Sequence, residues 1–228
     1  MYGNSALPIG SCPDHRYDVA SLRTDLEAVV KSFNLESVVV VAHYLSGQPS
    51  IDWALDNDDR VAALVLLNTY YSPMADLKPP EAIARFSTPG IWRDLSVWGA
   101  TRNDAMWQNG VEEQISKFFV NQSARETFAK IFVHQALEIR PAFFGENEVL
   151  LDEVARRGQV VPRLKHFHKP VRIIFGADDP YLNASVAIEF QLLFTGSAKF
   201  LISSVAHYVQ LDQPNQVAQI ILSAMSIP

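Results

Sequence analysis

Only one cysteine, Cys12, stands among the 228 residues. A disulfide framework needs pairs and a cysteine-based zinc site needs several thiolates, so both are excluded. No apolar run approaches the ~18 residues of a membrane span. The opening residues, Met1 to Pro8, lack the basic and apolar regions of a signal peptide. A soluble, cytoplasmic chain without a membrane partner is expected. Positive charge is scarce, with 19 Lys and Arg against 25 Asp and Glu and a net charge of −6. The densest basic stretch, Arg163 to Lys169, reads as solvated surface, and a nucleic-acid partner is not expected. No G-x-G-x-x-G follows a strand pattern. His166 and His168 flank Phe167 without further ligand-type residues at metal spacing. No cofactor is expected.

What is present is ordinary globular material, 48% hydrophobic and 19% charged. Residues 1–16 read as loop, rich in Gly, Pro, Ser and Asn. Val19, Leu22, Leu26, Val29, Val30 and Phe33 recur at helical spacing, with Asp18 as N-cap and Asn34 as stop. Ser37 to Ala42 is short, β-branched and continuously apolar, the pattern of a strand buried on both faces of a parallel sheet. A tight turn and a helix with Ile51, Ala54 and Leu55 lead to a second such strand, Val61 to Leu67, which makes a βαβ unit. Residues 70–165 carry no comparable strand. Helices are expected from Ile115 to Phe132 and from Glu148 to Arg157, in a segment broken by Pro73, Pro79, Pro80, Pro89 and Pro141. Trp92, Trp98 and Trp107 concentrate there, as pocket lining or as the segment's own core. Strands return at Pro170 to Phe175 and Lys199 to Ser203, around a helix from Ser185 to Phe194. A closing helix runs from Gln216 to Ser226.

Three turns stand at the C-terminal ends of these strands, where parallel α/β enzymes place their sites. They hold Tyr44 and Ser46, Asp178 and Asp179, and His207. Residues Asp14 to Gln48 resemble the helix, strand and nucleophile elbow of the α/β-hydrolase superfamily. Gly176 to Asp179 is similar to its acid turn, and Ala206 to Pro214 to its histidine turn. The cap-bearing branch of haloalkane dehalogenases and epoxide hydrolases is the most similar.

The resemblance implies an α/β fold, with a mostly parallel sheet flanked by helices and a helical cap. It implies a partial core over 1–69, the cap over 70–165 and the rest of the core over 166–228. It places Tyr44 at the nucleophile position, with Ala42, Ser46 and Gly47 as the small residues of the elbow. Ser46 is the fallback nucleophile, and the Leu45 N–H is one oxyanion donor. Asp179 is the acid, with Asp178 as fallback, and His207 is the base. Asn68 stands where some relatives carry another acid, and is expected to bond loop backbone instead. Tyrosine departs from the family's Ser, Cys or Asp, because little phenolate exists at neutral pH when the pKa is ~10. Leu45 departs from the tryptophan of the dehalogenases.

Against that family pattern the front strands are missing, with the segment that supplies the second oxyanion donor. Residues Ala6 to Pro13 resemble the loop after the last missing strand. The Val38 to Val41 strand is then expected to expose an apolar edge, and the chain either to dimerise through it or to be marginally stable. Two functions follow: hydrolysis of small apolar esters, epoxides or organohalides, or non-catalytic binding of a small molecule or partner.

Overall fold

The computed structural model describes residues 17–225. The expectations for residues 1–16 lie outside the described residues. Four strands, β1 (Val38–Tyr44), β2 (Val61–Thr69), β3 (Val171–Gly176) and β4 (Ser197–Ile202), form one sheet in the order β1-β2-β3-β4. All three pairings are parallel. Parallel neighbours need crossovers, and helices supply them.

Helix α1 (Val19–Ser32) starts where Ser21 N donates to Asp18 Oδ1 at 2.8 Å. It ends at Asn34, whose φ of 49° is the left-handed turn asparagine tolerates. Helix α2 (Gly47–Asp56) links β1 to β2. Helix α8 (Ala184–Leu193) links β3 to β4, and α9 (Val209–Asp212) and α10 (Pro214–Met225) close the chain. Pro214 opens α10, where its missing N–H costs nothing.

One sheet face carries Val40, Ala42, Leu64, Leu66, Ile173 and Phe175, packed with Ile51 and Trp53 of α2 and Phe190 of α8. The other carries Ala63, Val65, Leu67 and Ile174 against Val217 and Ile220 of α10. The reading of β1 as buried on both faces is corrected here. Val40 and Ala42 are buried, but Val41 is 46% exposed. Helix α10 contacts β2 and β3, and among the described residues the second face of β1 is less covered than theirs.

Between β2 and β3 the chain is helical: α3 (Glu81–Ser87), α4 (Ile91–Arg102), α5 (Asp104–Ser116), α6 (Gln122–Arg157) and α7 (Val161–Leu164). Two expectations fail. The helix expected from Ile115 to Phe132 is interrupted at residues 117–121. Pro141 does not end a helix but lies inside the 36-residue α6. One lost backbone bond is tolerated because α6 packs on both α5 and α3. The three tryptophans divide. Trp107 is buried among Phe86, Phe143 and Phe144 and donates Nε1–H to Ala136 O at 2.7 Å. Trp92 and Trp98 are mostly exposed on α4. The basic stretch is not all surface either, since Leu164 and Phe167 are buried.

Candidate active site

β1 ends in a sharp elbow. Tyr44 has a φ of 53°, which a bulky residue adopts only when its surroundings hold it there. Thr69 Oγ1, from the adjacent end of β2, donates to Tyr44 O. Gly47 packs tightly under that contact, because a Cβ there would lie 1.9 Å from Thr69 Oγ1. The elbow is therefore fixed by sterics and one cross-strand hydrogen bond.

Ser46 serves the turn rather than the cavity. Its Oγ accepts from His43 N at 2.9 Å and donates to His43 O at 2.8 Å. Both bonds occupy the hydroxyl with elbow backbone. The Leu45 N–H, by contrast, enters no hydrogen bond among the described residues.

Asp179 and His207 come together from the ends of β3 and β4. His207 Nδ1 lies 2.7 Å from Asp179 Oδ2, and both residues are buried. Asp179 Oδ1 accepts from Tyr181 N at 2.9 Å and Leu182 N at 3.0 Å. Burial alone would raise this carboxyl's pKa. The His207 hydrogen bond and charge, with the two N–H groups, outweigh it and hold the pKa below the ordinary value. Gly176 lets the two turns meet, since a Cβ there would lie 2.1 Å from Ala206 O. Asp178 is exposed, and its N–H bonds Val205 O at 2.9 Å.

The Tyr44 ring packs edge-on against His207, with centroids 5.1 Å apart. Burial pushes the Tyr44 phenol's pKa far up, so the group is a neutral donor across the working pH range. A cavity of about 770 Å³ opens over Tyr44, Leu45 and His207, roofed by α3 to α6. A second, of about 230 Å³, touches Tyr44 and His207 on another side. Among the described residues no cluster of His, Cys, Asp or Glu could hold a metal ion. No helix there is long and apolar enough to cross a membrane.

Three residues near this centre escaped the sequence reading or changed meaning. Asn68 is fully buried at a φ of 31°. It accepts from Gly176 N at 3.0 Å as expected for a backbone partner, but its Nδ2 also donates to Asp179 Oδ2 at 2.7 Å. His43 Nε2 lies 3.0 Å from His207 O, so it donates there, and its pKa is pushed down to about 3 by burial and then by His207. Asp212 accepts from Ala206 N, Val120 N and Asn121 N at 3.0–3.1 Å, tying the histidine turn to the helical segment. Only its place in the histidine-turn motif could have pointed to Asp212.

A parallel sheet with an acid and a histidine at successive strand ends, beside a strained elbow, defines the hydrolase class of α/β folds. The sequence profile of the α/β hydrolase fold family matches residues 2–214, and the chain belongs to that family. Solved structures agree in fold. A thermophilic esterase from Thermogutta terrifontis superposes with a TM-score of 0.69 at 17% identity, over 90% of this chain and 71% of that one. A 2-hydroxy-6-oxo-6-phenylhexa-2,4-dienoate hydrolase from Rhodococcus gives 0.72 at 12%, over 94% and 75%. An esterase from Rhodococcus gives 0.70 at 16%, over 95% and 76%. No curated protein matches the sequence.

Proposed function

We propose that this hydrolase-family chain cleaves small, largely apolar esters, with His207 as general base, Asp179 as its orienting acid and the Leu45 N–H as oxyanion donor. The observation that carries this is the 2.7 Å His207–Asp179 bond beside a 770 Å³ cavity. With Nδ1 held by Asp179, the imidazole's Nε2 is the nitrogen left for chemistry, and it enters no hydrogen bond among the described residues. A water in the cavity loses its proton to Nε2 as its oxygen attacks the ester carbonyl. Asp179 stabilises the imidazolium, which then protonates the departing alcohol. The developing oxyanion is met by the Leu45 N–H. Tyr44 stands where relatives carry the attacking group. A neutral phenol attacks poorly, so the route uses water directly. Epoxides and organohalides fit less well, because their opening in the similar branch needs an elbow carboxylate.

Hydrolysis of p-nitrophenyl butyrate tests the reading. His207→Ala is expected to lose about 10²- to 10⁴-fold in rate, the ordinary share of a general base. Tyr44→Ser restores an elbow hydroxyl and is expected to raise the rate. A wild-type rate equal to that of His207→Ala would sink the direct-water route. The second reading, a binding protein without turnover, is favoured by Tyr44 itself, whose ring fills the elbow. It is supported if wild type is inactive and only Tyr44→Ser turns over.

A further inference from the structure

The break between α5 and α6 is organised around one buried carboxyl group. Asp212 closes α9 and is 3% exposed. A buried carboxylate is tolerated only when its oxygens are hydrogen-bonded. Here every donor is backbone. Oδ2 accepts from Val120 N and Ala206 N, each at 3.1 Å, and Oδ1 from Asn121 N at 3.0 Å. Bonds to a charged acceptor are roughly twice as strong as neutral ones. A continuous helix would give the N–H groups of residues 120 and 121 to its own carbonyls. Turned toward Asp212, they leave the helix, and the Asn121 side chain starts α6 by accepting from Ala124 N at 3.0 Å. One more bond crosses the same joint, from Tyr208 N to Phe118 O at 3.3 Å. The side chain that the joint delivers is Phe118. Its buried ring lies 4.6 Å from the His207 imidazole, tilted by 37°, and borders both cavities.

We propose that Asp212 is a positioning residue for the base: it holds residues 118–121 against the histidine turn, seats the Phe118 ring on the His207 imidazole and so keeps Nε2 directed at the cavity. The catalytic meaning rests on the proposed hydrolysis, whereas the seating is geometry alone. The bond to Asp179 fixes Nδ1 at one point and leaves the ring free to swing about it. A plane is fixed by contact along a face, and Phe118 supplies that contact. Asp212 suits the task because it grips both sides. Ala206 adjoins His207, and Val120 and Asn121 follow closely on Phe118. Apolar packing also joins the two segments, since Phe119 and Phe132 stack on Tyr208 at 4.9 and 5.2 Å. Stacked rings can slide, but three directed bonds set the offset. Loss of the carboxylate therefore lets the joint shift while the apolar contacts remain. The effect falls on turnover, because a misplacement of about 1 Å can cost on the order of 10²-fold in rate.

The first measurement is made on wild type by NMR. Nuclear Overhauser contacts are expected between the ring protons of Phe118 and His207, and their absence overturns the proposal. The variant is Asp212→Asn, which keeps the volume but turns an amide N–H toward backbone donors. The His207 ring-proton resonances, identified by their loss in His207→Ala, are expected to move as the neighbouring ring current leaves. They should move in the same sense in Phe118→Leu, which leaves the Asp212 bonds in place. Toward p-nitrophenyl butyrate, Asp212→Asn is expected to lose roughly 10- to 100-fold in kcat with KM little changed. Adding Phe118→Leu should deepen that loss only slightly, because both changes remove one contact, whereas independent effects multiply. Resonances that stay in place, a change in KM alone, or kcat losses that multiply would each overturn the proposal. Should Asp212→Asn fail to fold, Asp212→Glu keeps the charge, lengthens the side chain and carries the same expectations. Failure of both to fold would make the carboxylate a support of the whole molecule and overturn its assignment to the base. Inactivity of wild type would sink the hydrolysis and leave the resonances to decide the seating.

Discussion

His43 precedes the elbow tyrosine, and its ring packs 4.7 Å from that of His207. Held neutral, with a pKa near 3 against an ordinary 6.5, it binds fewer protons folded than unfolded below pH 6.5. The stability it contributes is complete above about pH 6.5 and is lost progressively as pH falls from there toward about 3. Urea midpoints between pH 7 and pH 4 should therefore drop steeply in wild type and less steeply in His43→Gln. Equal slopes would show that burial does not hold this imidazole neutral. Asp179 acts in a lower window. Its pKa is depressed, so its contribution is present above the ordinary carboxylate range and is lost only as pH falls through its folded value. Asn68 supplies one of that carboxylate's donors at 2.7 Å. Asn68→Ala removes it inside the core and should cost about 1–3 kcal/mol, read as a lower urea midpoint at neutral pH.

At the scale of elements, the two tight glycines make a contrast. A Cβ at Gly47 would meet the Thr69 side chain, whereas one at Gly176 would meet backbone oxygens of Ala206 and Val205 at 2.1 and 2.4 Å. A side chain can rotate, whereas the buried backbone of Val205 and Ala206 cannot. Gly176→Ala should therefore lower the melting temperature more than Gly47→Ala, and only the latter should recover when combined with Thr69→Ala. Helix α2 carries an opposite opportunity. Gln48 is fully buried, with neither amide atom paired among the described residues. Gln48→Met keeps the volume and should stabilise by about 1 kcal/mol, visible as a raised urea midpoint.

The elements near the sheet were legible in the sequence because continuous β-branched runs and an N-capping Asp18 act locally. The helical segment was less so. Local punctuation said that Pro141 breaks a helix, while packing against α5 and α3 carries α6 through it. The turns that carry Asp179 and His207 were legible as strand ends. The Asn68 bond to Asp179 was not, because it joins residues 111 apart, and no local pattern encodes that meeting.

At the scale of the whole molecule, the two sheet faces are unequally covered. Among the described residues β1 is paired on one side only, by β2, and Val41 on it is largely exposed. Such an edge invites a second copy. Light scattering should report a dimer that Val41→Lys converts to monomer, and a monomeric wild type would remove the idea.

The order β1-β2-β3-β4 places each strand beside its neighbour in sequence, yet residues 70–170 intervene between β2 and β3. Two short-range halves must therefore dock along a single seam, where Leu64 to Leu67 register with Val171 to Ile174. Loop closure grows only slowly with length, by about 0.6 kcal/mol per doubling, so the long excursion taxes speed more than stability. Docking along that seam is also the event that brings Asn68 to Asp179. Assembly of the acid is thus expected to coincide with the slow step of refolding, and a substitution at Asn68 would alter the refolding rate only if its bond forms before that barrier is crossed.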